Sequence, residues 1–244
     1  MSELKTAFRG IKVEEAYTEA ASFKGIALKT GLLLLIAVFS GVLLPYAIPT
    51  GYLLYSLIGA VIGALICGIV GQISVKAAPV CSIIYAVCEG LLLGLISYVF
   101  EAVMGIGGIV LTAVLLTATI FVAMLLVYST RLIKVTSKFA KMMFGMMVAI
   151  ISFSLLYWIL GMIKPDNMLA SAFANNPWIA IIFALFILVY AALMLMLDFN
   201  HAEKLVTQGF AKRYEWTAAL SLMITIVWIY VQVLRILAIF MRRK

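Results

Sequence analysis

Seven long apolar runs follow one another along the chain, and short segments with charged residues, glycine or proline separate them. A helix needs about 20 apolar residues to cross the hydrocarbon core of a bilayer, and each run has that length. All five prolines fall at the ends of these runs or between them, as expected of a residue that disfavours helix interiors. The pattern predicts an all-α integral membrane protein with seven transmembrane helices, at 26–46, 52–73, 80–100, 108–128, 139–163, 178–198 or somewhat beyond, and 214–240.

The composition excludes an ordinary soluble domain. Of the 244 residues, 66% are hydrophobic and only 11% are charged, and the mean hydropathy is +1.20. The formal charge of +8 does not indicate a nucleic-acid partner, because the basic residues are scattered through short segments beside the spans. The environment that this composition fits is a lipid bilayer.

The placement of the basic residues predicts the orientation. With a cytoplasmic N-terminus, the inner segments hold most of them, and the outer loops hold only Lys164. Seven spans put the basic residues at 242–244 outside, so either the tail is tolerated there or one run is re-entrant. We expect residues 1–23 to form a cytoplasmic amphipathic segment and residues 24–244 to form the transmembrane domain.

An acidic residue, Asp198, ends the sixth run, and it is the first candidate for chemistry inside the membrane. The polar break that follows predicts a helical hairpin with its turn near 209–213. Asp198 and Thr225 lie about equally far from that turn, so two antiparallel helices place them at similar depth. The sequence therefore predicts a carboxylate facing a hydroxyl.

The seventh run is the most polar of the set, with Glu215, Ser221, Thr225, Gln232 and Arg235. Its spacing puts the serine, the threonine and the glutamine on one face of a helix. Such a face needs polar neighbours rather than lipid, so we expect helix seven to be central in the bundle. The arginine is expected near the outer surface, where its side chain can snorkel or meet a carboxylate such as Glu101.

A second carboxyl group, Glu89, lies near the middle of the third run. An ionised carboxylate facing lipid at that depth costs several kcal/mol, so Glu89 must be protonated, paired or turned to a wet interior. Gly90 and Gly94 would let another helix approach beside it. A strip of small residues in the second run, at Gly59, Gly63, Cys67 and Gly71, predicts close helix packing as well.

The segment 190–200, Ala219-Leu220-Ser221-Leu222 and Gln232-Val233-Leu234-Arg235 resemble the Bax inhibitor one family, and Glu89-Gly90 resembles a bacterial-type subgroup. The resemblance implies a seven-helix bundle with helix seven in the centre, in a bacterial plasma membrane. It also implies a pH-sensitive calcium leak gated by two aspartates. Asp198 matches the first aspartate, whereas Thr225 stands in the place of the second.

These features together favour a pH-sensitive cation leak, with calcium as the permeant ion rather than a cofactor. The candidate ion or proton sites are Asp198, Glu89, Thr225, Glu215, Gln232 and Arg235. No resident metal site is expected, because a tight calcium site needs about six to eight oxygen ligands, although Asp198 and Glu89 allow weak calcium contact.

Two alternatives stay open. The first is a proton-coupled transporter of a small solute, with Glu89 as the proton carrier. The second is a non-transporting regulator of a membrane protease or of another membrane-protein partner. An enzyme is not expected, because the sequence has no His-Glu-x-x-His and no Gly-x-Ser-x-Gly motif.

Overall fold

A computed structural model describes residues 19–99, 105, 107–164 and 176–241. Over these ranges the chain forms seven long helices, and each is long and apolar enough to cross a membrane. The all-α, seven-span prediction is therefore confirmed. The first 18 residues of the predicted amphipathic segment, Glu101 and the tail at 242–244 lie outside the described residues. The helices are α1 Phe23–Ala47, α2 Leu53–Ile73, α3 Ala78–Tyr98, α4 Ile109–Ser129, α5 Ser137–Ile163, α6 Pro177–Thr207 and α7 Glu215–Met241.

Local sequence explains where several helices begin. The Ser22 side chain caps α1 by accepting from the Gly25 backbone N–H at 3.0 Å, and Thr136 caps α5 in the same way at 3.2 Å from Phe139 N. Gly108 precedes α4 with a φ of +75°, a left-handed conformation that glycine adopts without strain. These caps satisfy backbone donors that a helix start leaves free.

The turn between α6 and α7 agrees with the predicted hairpin. Gly209, with a φ of +68°, follows the end of α6, and a short 3-10 helix at Lys212–Tyr214 leads into α7. Helix α6 nevertheless extends past Asp198 as far as Thr207. The polar residues there continue the helix because Ala202 and Leu205 bury one side of it.

The described chain divides into two compact units. Unit 1 contains α1, α2 and α3 to Leu95, together with Asn200–Ile224. Unit 2 contains Ile96–Phe199 and the chain from Thr225 onward.

In unit 1, glycines bring helices into close contact. A Cβ atom on Gly90 would overlap the side chain of Ser40 on α1, and one on Gly94 would overlap the backbone of Gly41. The approach predicted beside Glu89 is therefore present, and its partner is α1. Gly63, from the strip of small residues on α2, faces Cys88 on α3.

In unit 2, α6 carries three large side chains that are fully buried. Tyr190, Leu195 and Met196 are all less than 2% exposed. The Tyr190 hydroxyl donates to the Met143 carbonyl of α5 at 2.9 Å, and its ring packs on Trp228 of α7 with centroids 5.6 Å apart. These contacts fix α6 against both neighbours.

Burial differs sharply between the helices. In the most apolar 18-residue stretch of α7, 61% of the residues are buried, the highest share among the seven helices. In the corresponding stretch of α5, none is buried. Glu215, Thr225 and Gln232 of α7 are accordingly buried in protein, whereas Arg235 is exposed.

Candidate functional site

The carboxylate of Asp198 and the hydroxyl of Thr225 meet, as the hairpin prediction requires. Thr225 Oγ1 donates to Asp198 Oδ2 at 2.6 Å, and the two residues are 5% and 8% exposed. Both belong to unit 2, with Asp198 on α6 and Thr225 on α7. A hydrogen bond from a neutral donor to a buried carboxylate is strong in such surroundings, and its pattern changes when the carboxylate takes up a proton.

Aromatic contacts hold the α6 segment that carries Asp198. The ring of the next residue, Phe199, packs edge-on against Phe121 with centroids 5.5 Å apart, and it lies 5.6 Å from the ring of Tyr128. Both partners are on α4. The carboxylate is thus presented from a backbone that well-packed apolar side chains keep in place.

Glu89 has a partner on its own helix. The Tyr85 hydroxyl donates to Glu89 Oε1 at 2.9 Å, one turn earlier on α3, and Glu89 is half-buried. Both residues belong to unit 1. The structure thus shows this carboxyl group hydrogen-bonded to a hydroxyl of its own helix. Sequence reasoning did not name Tyr85, although its spacing of four residues from Glu89 is the signal for such a pair.

Glu215 is fully buried at the start of α7, in a cluster that the sequence did not reveal. Its Oε1 accepts from the Ser22 backbone N–H at 2.8 Å and from the Ser22 hydroxyl at 3.1 Å, and its Oε2 pairs with the Lys29 ammonium group. The Lys29 Nζ also lies 5.5 Å from the centre of the Trp216 ring. A Cβ atom on Gly25 would overlap the carboxylate, which would have to shift to make room for it.

These partners are all donors, as an ionised carboxylate requires. Ser22 and Lys29 are partners of Glu215 that the sequence did not indicate. They lie seven residues apart, on one face of α1, which is the only signal that the sequence offers. We refer to Ser22, Lys29 and Glu215 as the α1–α7 anchor.

A short extended segment continues the anchor on its N-terminal side. The Ala21 N–H donates to the Phe210 carbonyl at 2.7 Å, and the Lys212 N–H donates to the Glu19 carbonyl at 2.7 Å. The side chains of Glu19 and Lys212 also form an ion pair at the surface. This pair holds the pKa of the Glu19 carboxyl below its ordinary 4.5, because the Lys212 ammonium donates to the carboxylate and favours its charged form.

Gln232 and Arg235 line a crevice formed by α5, α6 and α7 in unit 2. The crevice has a volume of about 530 Å³, and Ser154, Phe183 and Trp228 also line it. Gln232 is 5% exposed, whereas the Arg235 side chain is exposed. The structure therefore divides the six predicted site residues into the Asp198–Thr225 pair, Glu89 beside Tyr85, Glu215 in the anchor, and Gln232 with Arg235 at the crevice.

Seven apolar helices that carry enclosed polar pairs define a multi-pass integral membrane protein. The family model described as Bax inhibitor 1 like matches residues 5–242. The chain therefore belongs to the Bax inhibitor 1-like family, as the sequence resemblance indicated. A comparison with curated proteins gives no match.

Proposed function

We propose that this protein is a cation leak pathway, with calcium as the permeant ion, whose closed state is held by the hydrogen bond between Asp198 and Thr225. The observation that carries the proposal is the enclosed contact of 2.6 Å between these side chains of α6 and α7. Membership of the Bax inhibitor 1-like family supports the same assignment.

The switch rests on the chemistry of one carboxyl group. An ionised Asp198 accepts from Thr225, whereas a protonated Asp198 becomes a donor itself and no longer carries the charge that attracts a cation. Because α6 and α7 are both packed in unit 2 through aromatic side chains, a changed bond between them would shift two rigid elements rather than one side chain. Threonine in place of a second acid makes this a carboxylate–hydroxyl switch.

Calcium would pass through without being stored. Weak and transient contact with a carboxylate such as Asp198 or Glu89 suits permeation better than a closed ligand shell, which needs about six to eight oxygen atoms. Glu215 takes no part in this proposal, because its carboxylate is already occupied by Lys29 and Ser22.

The proposed setting is the plasma membrane of a bacterium, with the N-terminus in the cytoplasm. The excess of lysine and arginine in the segments assigned to the inner side supports this orientation. Labelling of single cysteines introduced at the α4–α5 segment, near Lys134, and at Lys164 tests it: the first should be protected from an impermeant thiol reagent in whole cells and the second should react.

The test of the switch is calcium flux into proteoliposomes, measured as a function of pH for Thr225→Val and for a matched control, Thr117→Val. Thr117 is also buried in a span, but its hydroxyl bonds to the carbonyl of Ala113 on its own helix at 2.8 Å. A hydrogen bond to a charged carboxylate contributes about 1.5–3 kcal/mol and favours the ionised form. Without it, the pH midpoint of the calcium flux in Thr225→Val should rise by roughly one unit or more. An unchanged midpoint, or an equal change in Thr117→Val, would refute the switch.

One observation favours a second candidate function, a proton-coupled transporter of a small solute. Tyr85 holds Glu89 by a hydrogen bond within the membrane span of α3, as a proton carrier requires if it is to exchange its proton in a defined geometry. This candidate predicts proton flux that depends on the solute and disappears in Glu89→Gln. Flux of calcium that persists in Glu89→Gln without any added solute would favour the leak.

A further inference from the structure

The crevice between α5, α6 and α7 combines an apolar wall with a polar end. Its apolar wall includes Ile151, Leu155 and Phe183, and its polar end consists of Ser154, Gln232 and Arg235. Ile151 and Leu155 are 58% and 54% exposed on the outside of α5. All of these residues lie in membrane-spanning helices, so the crevice opens towards lipid chains.

The polar end of the crevice contains a hydrogen-bond acceptor that is not satisfied by the described protein residues. Gln232 is 5% exposed, and its Oε1 is buried without a hydrogen-bond partner among the residues that the structure describes. A buried carbonyl oxygen in this state is destabilising, so a ligand that donates a hydrogen bond to it would be bound more tightly. Arg235 offers five N–H donors in a planar fork, and no ion pair of its guanidinium is seen within the described part of the chain.

The depth of these groups fits a lipid headgroup. Arg235 lies about 9 Å and Gln232 about 14 Å from the C-terminal end of α7, at a rise of 1.5 Å per residue. At this depth an arginine can extend its guanidinium to the level of the phosphates. Ile151, which lies about 18 Å from the C-terminal end of α5, continues the crevice further into the hydrocarbon. An exposed guanidinium inside a span is expensive unless an anion accompanies it.

We propose that the crevice binds an anionic glycerophospholipid whose headgroup carries hydroxyl groups, such as phosphatidylglycerol. The phosphate pairs with Arg235, a headgroup hydroxyl donates to Gln232 Oε1, and an acyl chain lies along Ile151, Leu155 and Phe183. Three features of the crevice favour this occupant over a soluble anion or a protein helix: an apolar wall open to the bilayer, one cation near the headgroup level, and one buried acceptor beside it.

The experiment is native mass spectrometry of the full chain in detergent, titrated with phosphatidylglycerol, phosphatidylcholine or phosphatidic acid. Phosphatidylglycerol should bind about tenfold or more tightly than phosphatidylcholine, and Arg235→Gln should abolish this preference, because a charge-assisted bond is lost. Gln232→Met should weaken the binding of phosphatidylglycerol but not that of phosphatidic acid, which lacks the glycerol headgroup. Lys138→Gln, an exposed basic residue at the other end of α5, is the matched control and should change nothing.

Three outcomes would overturn the proposal. They are equal binding of phosphatidylglycerol and phosphatidylcholine, displacement of the lipid by millimolar inorganic phosphate, and the same loss of preference in Lys138→Gln as in Arg235→Gln. The second would indicate a soluble-anion site instead.

If Arg235→Gln or Gln232→Met does not fold, tryptophan fluorescence of protein that keeps both residues still tests the site. Trp228 lines the crevice, so phosphatidylglycerol with brominated acyl chains should quench its fluorescence. Brominated phosphatidylglycerol should quench more strongly than brominated phosphatidylcholine, and this difference should disappear in Trp228→Phe. Excess quenching of the same size in Trp228→Phe would place the lipid elsewhere and refute the site.

Discussion

The α1–α7 anchor predicts a strong energetic coupling between Lys29 and Glu215. The Glu215 side chain is 0% exposed and that of Lys29 is 17% exposed, so the two charges are largely removed from solvent. Lys29→Met would leave the Glu215 carboxylate buried beside Ser22 without its countercharge. Breaking a buried pair in this way costs about 3–5 kcal/mol, far more than the loss of a surface pair.

The double variant Lys29→Met/Glu215→Gln should be more stable than Lys29→Met alone. The amide oxygen of the introduced glutamine can still accept from the N–H and the hydroxyl of Ser22, and no charge is left without a partner. Replacing both members of a buried pair by neutral groups is often close to neutral in stability. The double variant should therefore recover at least half of the loss.

Thermal unfolding in detergent, followed by tryptophan fluorescence, measures both effects. For a chain of this size, a loss of 3–5 kcal/mol corresponds to a fall in Tm on the order of 10 °C. Lys24→Met is the matched control, because Lys24 is an exposed lysine in the first turn of α1. Additive effects of the two anchor changes, or a fall for Lys29→Met no larger than for Lys24→Met, would refute the anchor.

Three further predictions concern packing and charge. Gly94→Ala should destabilise the protein by about 1–3 kcal/mol in the same unfolding assay, because the new Cβ atom meets the α1 backbone, whereas Gly59→Ala, which has open space, should not; equal effects would contradict the close approach. Tyr190→Phe should cost about 0.5–1.5 kcal/mol through loss of its bond to a carbonyl of α5, and an unchanged Tm would show that this bond contributes nothing. The lowered pKa of Glu19 means that its pair with Lys212 stabilises the fold above pH 4.5 and is lost as the pH falls through the lowered value. The small Tm difference between the unmodified protein and Glu19→Gln should therefore vanish in acid and in high salt, and a difference that persists in either condition would contradict the assignment.

The sequence predicts the helices well because the property that defines them is local. A span needs only a continuous apolar run of sufficient length, and each predicted run lies within a few residues of an observed helix. The end of α6 is the largest departure, since buried positions such as Leu205 recur at helical spacing among the polar residues that follow Asp198.

The Asp198–Thr225 contact could also be predicted, because a hairpin fixes which residues of two adjacent helices share a depth. The α1–α7 anchor could not be predicted in this way. Lys29 and Glu215 are separated by 186 positions, and nothing in the sequence indicates which of 18 basic residues would meet a given acid. The crevice at Gln232 likewise depends on how loosely α5 packs, and hydropathy carries no information on packing.

Control of a calcium leak by Asp198 is tested most directly by calcium influx into proteoliposomes between about pH 5 and pH 8. Influx should exceed that of protein-free liposomes and should depend on pH. Asp198→Asn should remove this dependence, because the amide cannot take up or release a proton in this range. Folding of both proteins is verified by their thermal unfolding. Influx no greater than in protein-free liposomes, or an unchanged pH dependence in Asp198→Asn, would refute this role of Asp198.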